Sequence, residues 1–272
     1  MKRSLIKQAF NNKELIDSEV LIKGWVRSLR KSKSFCFIIL NDGTTQKDLQ
    51  IIADESLENY EEFSKLGIGS SLGIKGQLVQ SQGKGQNIEL QAKEIEIFGG
   101  VDESYPLQKK GTSLEFLRNI SHLRSRTNTF GAVFRLRHVL AMATHEFFSS
   151  QNFYYLNSPI LTGVDAEGAG EVFQVTTMDL KELPKNDKGE VDYSQDYFGK
   201  PAFLCVTGQL EGECFASCLG SVYTFGPTFR SENSNTTRHL SEFWMVEPEV
   251  AFADLEEIAD LGMDYILSLI HI

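Results

Sequence analysis

Charged side chains that lie close together in one polar segment indicate a site for an anionic ligand. Arg230 and Glu232 are two residues apart, and side chains two apart on a strand point to the same face. A guanidinium group makes bidentate contacts with phosphates and carboxylates. Arg238 and His239 follow at the far end of a polar loop, within reach of a second anionic group. Phe243 then offers an aromatic face on which a planar base could stack.

Two apolar, β-prone segments flank this loop, at Val222–Phe229 and Phe243–Val246. They predict an antiparallel hairpin with a long, mobile connection, which would hold the charged groups beside the aromatic ring. The alternative is an exposed hairpin with a solvated charge pair, because an isolated Arg-x-Glu at a surface is usually no more than that.

The whole stretch Tyr223–Glu249 resembles motif 2 of the class II aminoacyl-tRNA synthetases, in the form found in asparaginyl-tRNA synthetases. The matching pieces are Phe-Arg-x-Glu, Asn-Ser-Asn-Thr, Arg-His-Leu-x-Glu-Phe-Trp-Met and Glu-Pro-Glu. The resemblance implies that asparagine and ATP form asparaginyl-adenylate, and that the acyl group then passes to the 3′ end of tRNA(Asn). Mg²⁺ is expected on the ATP phosphates, and no residue of the chain is assigned to it as a ligand.

The same resemblance implies a role for each charged residue of the hairpin. Arg230 would bridge the α-phosphate and the reacting carboxylate, and Glu232 would fix the adenosine or the acceptor end. Arg238 or His239 would hold the γ-phosphate, and Phe243 would stack on adenine.

Three further residues match positions that bind the amino acid in that family. Glu167 lies in the Gly-rich, acidic segment Thr162–Phe173, which resembles the loop that closes over the substrate's ammonium group. Gln209 ends a predicted strand and matches the family's amino-acid-binding Gln, while Glu247 matches an acidic position near the ammonium. Without the family, the loop is unremarkable and Gln209 is a solvated residue at a strand end.

Gly212 bears on which amino acid is bound. The related aspartyl-tRNA synthetases place a Lys at this position, where it pairs with the substrate carboxylate. Gly212 has no such cation, and the carboxylate of the neighbouring Glu211 or Glu213 would instead repel aspartate and accept from a carboxamide NH2. We therefore expect selection of asparagine, and a Lys at position 212 should raise the relative use of aspartate.

Composition narrows the class of protein. At 272 residues, with 41% apolar and 24% charged residues, the chain is long enough for one large or two ordinary globular domains. It shows neither a signal-peptide pattern nor an apolar run of roughly 18 residues, which predicts a cytoplasmic protein without a membrane span. Its four cysteines lack zinc-type spacing and are expected to be free thiols.

A net charge of −10 argues against non-specific coating of nucleic acid, so RNA contacts would need a local basic patch. One is present near the N-terminus, at Lys23, Arg27, Arg30, Lys31 and Lys33.

The N-terminal part predicts five strands and one helix between the third and fourth strands. The strands are expected at Val20–Arg30, Ser34–Leu40, Asp48–Ala53, Ser71–Gln80 and Asn87–Phe98, and the helix at Leu57–Leu66. This is the order of an OB-fold barrel, although an SH3-like barrel competes with it on periodicity alone.

In the synthetase family such a barrel reads the anticodon. The resemblance implies that Phe37 stacks on the central anticodon base and Gln50 hydrogen-bonds it, with Arg27 of the basic patch as a further contact. Phe35 is a rival for the stacking role, and a core position for Phe37 is the alternative.

We expect an α/β protein of the α+β type, with an OB-fold barrel at 1–100, a linker at 101–112 and an antiparallel class II catalytic domain at 113–272. The helix predicted at Phe130–Ser150 and the strand predicted at Phe153–Pro159 resemble motif 1, which implies a homodimer; a helix buried within a monomer is the alternative.

Members of this family continue into a motif 3, and nothing after Phe252 resembles it. We therefore expect an incomplete catalytic sheet that is followed by an amphipathic helix at Asp254–Ile270. Two functions stay open: an asparagine–tRNA ligase, or a non-catalytic tRNA-binding module derived from one. An aspartyl enzyme that charges both tRNAs is disfavoured by Gly212.

Overall fold

The structure, a computed structural model, describes residues 1–83, 85–108, 111–166, 168, 171–234 and 236–271. The chain divides into two compact units, Met1–Leu136 and Arg137–Ile272, and each is described by itself below.

The first unit is built on a closed barrel of five strands, β2 to β6. A two-residue strand, β1, adds to it in parallel beside β2. The strands are β1 Arg3–Ser4, β2 Glu19–Lys31, β3 Phe35–Asn41, β4 Leu49–Asp54, β5 Ser71–Gln80 and β6 Ile88–Gly99. Their order is β2-β3-β4-β6-β5, and β5 pairs back onto β2 to close the barrel. The OB-fold prediction is confirmed, and every barrel strand lies within about one residue of its predicted bounds.

Apolar and polar side chains alternate along these strands, which explains why the barrel has an apolar interior. In β3, residues Cys36, Ile38 and Leu40 are fully buried, while the side chains between them are exposed or half-buried. Leu49 and Ile51 of β4 continue the same core from the neighbouring strand. A side-chain period of two therefore sends one face inward and leaves the other for contacts outside the barrel.

Short helices close the ends of the barrel. They are α1 Ile6–Asn11 and α2 Tyr60–Phe63, together with a 3-10 turn at Lys13–Leu15. The helix α2 is shorter than the predicted Leu57–Leu66, but Tyr60 and Phe63 are both buried, so the predicted apolar face is present.

The predicted linker packs against the barrel. Gly69 has φ +97°, and a Cβ built on it would lie 2.8 Å from the ring of Tyr105. The Tyr105 hydroxyl in turn accepts a hydrogen bond from Arg126 at 3.2 Å. Residues from Val101 to Leu107 therefore extend the surface of the first unit, and the predicted boundary at 101–112 stays a prediction.

Helices α3 Leu114–Asn119 and α4 Ser121–Arg124 follow, and α5 Asn128–Ser150 begins in the first unit and continues into the second. Arg135 fixes the start of α5 to the barrel, donating to the carbonyl of Gly43 at 2.7 Å and to Gln46 Oε1 at 2.9 Å.

The second unit contains two three-stranded sheets and two further helices. The strands are β7 Tyr154–Leu156, β8 Leu161–Thr162, β9 Gln174–Val175, β10 Ala202–Leu204, β11 Ser221–Phe229 and β12 Glu242–Val250; the helices are α6 Gln209–Leu219 and α7 Leu255–Ile270. One sheet has the order β12-β11-β7 and the other β8-β10-β9. The predicted hairpin is β11–β12, antiparallel over nine residue pairs.

An aromatic cluster covers one face of the hairpin sheet. Phe148 of α5 stacks on the buried Tyr223 with ring centroids 4.5 Å apart, and Tyr265 of α7 lies 5.1 Å from Phe148. His145 Nδ1 and the Tyr223 hydroxyl are 2.8 Å apart. The predicted helices at 130–150 and 254–270 are thus confirmed, with Asp254 capping α7 by accepting from the backbone N–H groups of Glu256 and Glu257.

Two features differ from their predicted form. The strand that was expected to end at Gln209 ends at Leu204, because a turn at Thr207 and Gly208 starts α6 at Gln209. The strand predicted at Phe153–Pro159 likewise is shorter and spans Tyr154–Leu156.

The polar segment 181–200 is a surface excursion with one isolated bridge, between Lys185 and Val191. Its far end is anchored by the buried Asp196, which accepts from the Thr177 backbone N–H at 2.9 Å and from the Thr177 hydroxyl at 2.8 Å.

Candidate active site

The site is built on the face of the β11–β12 hairpin opposite the aromatic cluster. Phe243, Glu247 and Glu249 are two or four residues apart on β12, so their side chains share one face. Their partners across the ladder are Thr228, Thr224 and Val222. One face thus carries an aromatic ring at one end and two carboxyl groups toward the other.

At the aromatic end, the guanidinium carbon of Arg230 lies 5.7 Å from the centroid of the Phe243 ring. Arg230 follows the last residue of β11, but its backbone N–H still donates to the Ser241 carbonyl at 3.0 Å. This one additional bond keeps the side chain on the hairpin face beside Phe243.

Glu232 lies beyond the strand, so the expectation that Arg230 and Glu232 alternate within one strand is wrong. The Glu232 carboxylate lies 3.1 Å from His239 Nε2, across the loop. This contact links the two ends of the loop, whereas the sequence had suggested a phosphate for His239. Arg238 is exposed next to it.

Toward the middle of the face, the Glu247 carboxylate accepts three hydrogen bonds. The donors are the Thr224 hydroxyl at 2.9 Å, the Gly208 backbone N–H at 3.0 Å and the Thr207 hydroxyl. Because Thr207 and Gly208 precede α6, this carboxylate fixes where that helix begins and also complements its positive end. Two carboxylate oxygens accept about four hydrogen bonds, so the donors among the described residues leave one acceptor position open.

Gln209 is the first residue of α6 and is exposed, and its side-chain amide donates to Glu213 Oε1 at 2.8 Å. Gly212, one turn into the helix, is buried and faces β12. A Cβ built at Gly212 would lie 2.8 Å from Cγ of Glu249. The carboxylate that lies against Gly212 is therefore that of Glu249, in addition to the neighbouring Glu211 and Glu213 named from sequence.

Burial raises the pKa of Glu249, and repulsion by Glu213 and Glu247 raises that pKa further. Glu167, predicted to approach the substrate ammonium, lies outside the described residues.

The predicted anticodon residues lie on the outer face of the barrel. Phe37 pairs with Ile52, and Gln50 pairs with Ile39, so all four side chains point away from the core. The Arg30 guanidinium lies 5.2 Å from the Phe37 ring centroid. A core position for Phe37 is therefore wrong, while its role in binding RNA stays a prediction.

Arg27 is placed differently from Phe37 and Gln50. Its guanidinium donates to Asn128 Oδ1 at 2.5 Å and to the Arg126 carbonyl. Arg27 thus ties the barrel to the start of α5.

Sequence reasoning missed Thr207, Thr224 and Glu249. The signal for Glu249 was present, because a Glu two residues after Glu247 on a strand shares its face. The two threonines carried no such signal, since their contact with Glu247 depends on how α6 docks on the hairpin.

Within the described part of the chain, no group of three or more His, Cys, Asp or Glu side chains is arranged to hold a metal ion. The described helices are also too short or too polar to cross a membrane. All four cysteines are free, with Cys36 and Cys205 buried.

Comparison with family models gives two matches. Residues 113–271 match the tRNA synthetases class II (D, K and N), and residues 20–98 match the OB-fold nucleic acid binding domain. The OB-fold match covers nearly all of barrel strands β2 to β6, and the synthetase match runs from the start of α3 to the end of α7.

Among curated proteins, the chain is 53% identical to the asparagine–tRNA ligase of Cytophaga hutchinsonii over 272 residues. It is 52% identical to that of Porphyromonas gingivalis over 267 residues. These alignments cover 99% and 98% of this chain but 59% and 57% of the relatives, so the chain spans little more than half of their length.

Among solved structures, the chain resembles the asparaginyl-tRNA synthetase of Pyrococcus horikoshii complexed with asparaginyl-adenylate, with a TM-score of 0.85 and 25% identity. That match covers 100% of this chain and 58% of the solved one. Since the synthetase family model also matches more than half of its residues, the chain belongs to the class II tRNA synthetases (D, K and N).

Proposed function

We propose that this chain carries the adenylate-forming site of an asparagine–tRNA ligase, which activates asparagine with ATP and transfers it to tRNA(Asn). The observation that carries the proposal is the shared face of Phe243 and Glu247 on β12, with Arg230 over the ring. Four residues of strand separate the ring from the carboxylate by about 13 Å. That separation suits an aminoacyl-adenylate lying along the hairpin, with adenine at Phe243 and the ammonium group at Glu247.

The first step needs no protein nucleophile. The asparagine carboxylate attacks the α-phosphate in line, a bond to that phosphorus forms, and pyrophosphate leaves with the electron pair of the broken bond. Positioning and charge neutralisation then supply the rate. Arg230 is suited to bridge the carboxylate and the α-phosphate, because its guanidinium presents a planar, bidentate donor set.

The loop between the strands offers the remaining contacts to ATP. His239 or Arg238 would hold the γ-phosphate, and Glu232 would position the adenosine or the acceptor end of tRNA. Since Glu232 contacts His239 at 3.1 Å, phosphate binding by His239 requires that this contact open or be shared.

At the amino-acid end, Glu247 supplies the acceptor for the ammonium group. Three protein donors already hold its carboxylate, which fixes the remaining lone pair toward the ligand. Gln209 would add a side-chain amide at the start of α6. Glu167, which lies outside the described residues, would be a further partner of the ammonium group. Gly212 leaves room for the Glu249 side chain, which packs against it.

Mg²⁺ is proposed to enter with ATP, bound to its phosphates. It would supply charge neutralisation there. The described residues do not form a protein ligand set for a metal, so we assign it no protein contact.

The barrel supports binding of tRNA. An aromatic side chain, an amide and a guanidinium lie on one outer face, at Phe37, Gln50 and Arg30, as expected of a surface on which bases stack. We also propose a homodimer through α5 and β7, whose exposed apolar side chains include Val139, Met142 and Tyr154. The cytoplasm is proposed as the compartment, where the tRNA substrate is used.

Asparagine-dependent ATP–pyrophosphate exchange tests the proposal, with aspartate as the substrate control. We expect exchange with asparagine, and a loss of at least a hundredfold in Arg230→Ala, since that change removes the bridging cation. Arg118→Ala, an exposed Arg outside the hairpin unit, is the matched control and should retain activity. Equal exchange in Arg230→Ala and the wild type would remove Arg230 from the mechanism.

A second candidate is a non-catalytic tRNA-binding module. It is favoured by the closed barrel of the first unit, which needs no residue of the hairpin unit to form. Filter binding of tRNA(Asn) separates the two: binding without any exchange supports the module, and binding with exchange supports the ligase.

A further inference from the structure

The first unit contains a cavity of about 630 Å³, and the described residues that line it all belong to that unit. Four segments wall it: β2 at 25–28, the connection between β3 and β4 at 41–48, the predicted linker at 105–108, and the start of α5 with the turn before it at 125–135. Small-molecule sites in proteins have volumes of about 300–1,000 Å³. The cavity is therefore large enough for a compact ligand.

One wall of the cavity presents an aromatic ring that is open to solvent. Trp25 is 50% exposed, whereas Leu107 and Leu117 line the cavity from buried positions. The lining thus combines an accessible indole with buried apolar side chains. An exposed indole face is a surface on which a planar ring can stack.

The charge of the lining is positive, in a chain whose net charge is −10. Arg27, Arg126 and Arg135 line the cavity, and Asp48 is the one carboxylate among the described lining residues. The Asp48 carboxylate accepts a hydrogen bond from the Asn41 side-chain amide at 2.8 Å. A cavity with this excess of positive charge attracts an anion.

The three guanidinium groups contact neutral acceptors. Arg27 and Arg135 donate to backbone carbonyl and side-chain amide oxygens of the barrel, of α5 and of the turn before it. Within the described part of the chain, neither of them nor Arg126 forms a salt bridge with a carboxylate. Their positive charge is therefore available to an anionic ligand.

Arg126 keeps the most donor capacity of the three. An arginine side chain has five N–H donors, and among the described residues that of Arg126 donates to the Tyr105 hydroxyl, at 3.2 Å. Its guanidinium carbon lies 5.8 Å from the centroid of the Tyr105 ring, and the residue is exposed. A guanidinium group that is held by a ring and keeps N–H donors suits bidentate contact with a phosphate.

We propose that this cavity binds a free nucleotide. The base stacks on Trp25, and Arg126 together with Arg135 holds the phosphate near the positive end of α5, which begins at Asn128. Because four segments wall the cavity, it suits one compact nucleotide better than an extended strand. The inference is independent of the proposed function, since the proposed adenylate site belongs to the second unit.

The test uses the intrinsic fluorescence of Trp25. The chain has two tryptophans, so Trp244→Phe leaves Trp25 as the only indole. The probe is GMP, because adenine nucleotides could also occupy the proposed adenylate site. We expect a saturable change in Trp25 fluorescence with half-saturation below about 1 mM. Guanosine, which lacks the phosphate, should bind at least tenfold more weakly.

Arg126→Gln in the same background should weaken the binding of GMP at least tenfold, because it removes a cation from the cavity. Arg118→Gln is the matched control, since Arg118 is exposed in the same unit and lies outside the cavity lining. It should leave the affinity for GMP unchanged. Arg230→Ala should also leave it unchanged, because Arg230 belongs to the second unit.

Three outcomes overturn the inference. Trp25 fluorescence that does not respond to GMP is the first, and equal affinity for GMP and guanosine is the second; neither measurement changes a residue of the cavity. The third is an Arg126→Gln protein that binds GMP as tightly as its background. A GMP response that disappears in Arg230→Ala would place GMP in the hairpin unit and would likewise overturn the inference.

Calorimetry with tRNA(Asn) distinguishes a free nucleotide from one that is part of a bound tRNA. Unchanged binding of GMP in the presence of saturating tRNA(Asn) supports a site for a free nucleotide. Displacement of GMP by tRNA(Asn) would assign the cavity to a nucleotide of the tRNA and overturn the proposal.

Discussion

At the scale of single residues, the site depends on how one carboxylate is held. Glu247 is fixed by donors from two elements, namely the Thr224 hydroxyl on β11 and the Thr207–Gly208 turn before α6. Hydrogen bonds to charged groups stabilise more than neutral ones, by about 1.5–3 against 0.5–1.5 kcal/mol. Glu247 therefore links the start of α6 to the hairpin.

Thr224→Val tests this link by removing the hydroxyl and keeping the shape. We expect it to lower the free energy of unfolding by about 1.5–3 kcal/mol in urea titrations. Thr228→Val is the matched control, because Thr228 lies on the same strand, is equally buried, and donates to the neutral Phe243 carbonyl at 3.2 Å. If Thr228→Val lowers the free energy of unfolding as much as Thr224→Val does, the hydrogen bond to Glu247 stabilises no more than one to a neutral carbonyl.

At the scale of elements, regular patterns were predictable and junctions were not. The barrel strands, the hairpin and helices α5 and α7 follow from side-chain periods of 2 and 3.6 within one segment. The start of α6 at Gln209 was not predictable, because the Glu247 carboxylate that fixes this turn comes from a strand about 40 residues later. For the same reason, the contact of Arg27 with Asn128, about 100 residues later, was not predictable. The role of Arg27 in binding RNA stays a prediction.

The packing of Tyr105 on the barrel predicts a strong effect at Gly69. Gly69 and Gly85 share φ +97°, but only at Gly69 would a Cβ meet neighbouring atoms, those of the Tyr105 ring at 2.8 Å. Gly85→Ala should lower the free energy of unfolding by about 1–3 kcal/mol through backbone strain. Gly69→Ala should lower the free energy of unfolding by about 1–3 kcal/mol more than Gly85→Ala does, because its Cβ also overpacks against the Tyr105 ring.

A double-mutant cycle with Tyr105→Ala checks the cause. In the Tyr105→Ala background, Gly69→Ala should lower the free energy of unfolding by little more than Gly85→Ala does, because the ring that causes the overpacking is absent. If the cycle shows no coupling between positions 69 and 105, the contact does not stabilise the first unit.

Asp196, which anchors the segment 181–200, predicts that the free energy of unfolding depends on pH. Hydrogen bonds from Thr176, Thr177 and Tyr197 lower the pKa of Asp196 to about 2, from an ordinary value of 3.8. A lowered pKa means that Asp196 contributes full stability above about pH 4 and loses that contribution as the pH falls toward 2.

We therefore expect the free energies of unfolding of the wild type and Asp196→Asn to differ at pH 5 and to converge as the pH falls below 4. Asp187→Asn, at an exposed position of the same segment, is the control. A difference between wild type and Asp196→Asn that stays constant from pH 5 to pH 3 would contradict the assignment.

At the scale of the whole molecule, the proposed function assigns a separate recognition task to each unit. We propose that the barrel stacks on bases of tRNA and that the hairpin unit binds an adenylate. Because the chain spans little more than half of its relatives' length, each task is best measured by binding, which does not depend on complete catalysis.

Phe37→Ala tests the barrel task. We expect binding of tRNA(Asn) to weaken roughly 5- to 150-fold, since stacking of one base contributes about 1–3 kcal/mol. Phe35→Ala, at the exposed rival position two residues earlier, should change the affinity less. A larger effect at Phe35, measured by fluorescence anisotropy, would transfer the stacking role to that residue.

The most direct test of the central claim, that the β11–β12 face and α6 form an asparaginyl-adenylate site, is hydrogen–deuterium exchange with and without the sulfamoyl analogue of asparaginyl-adenylate. The account predicts slower exchange in peptides covering 205–213, 224–232 and 239–249, with the barrel unchanged. Slower exchange confined to other segments, or unchanged exchange at saturating analogue, would contradict it.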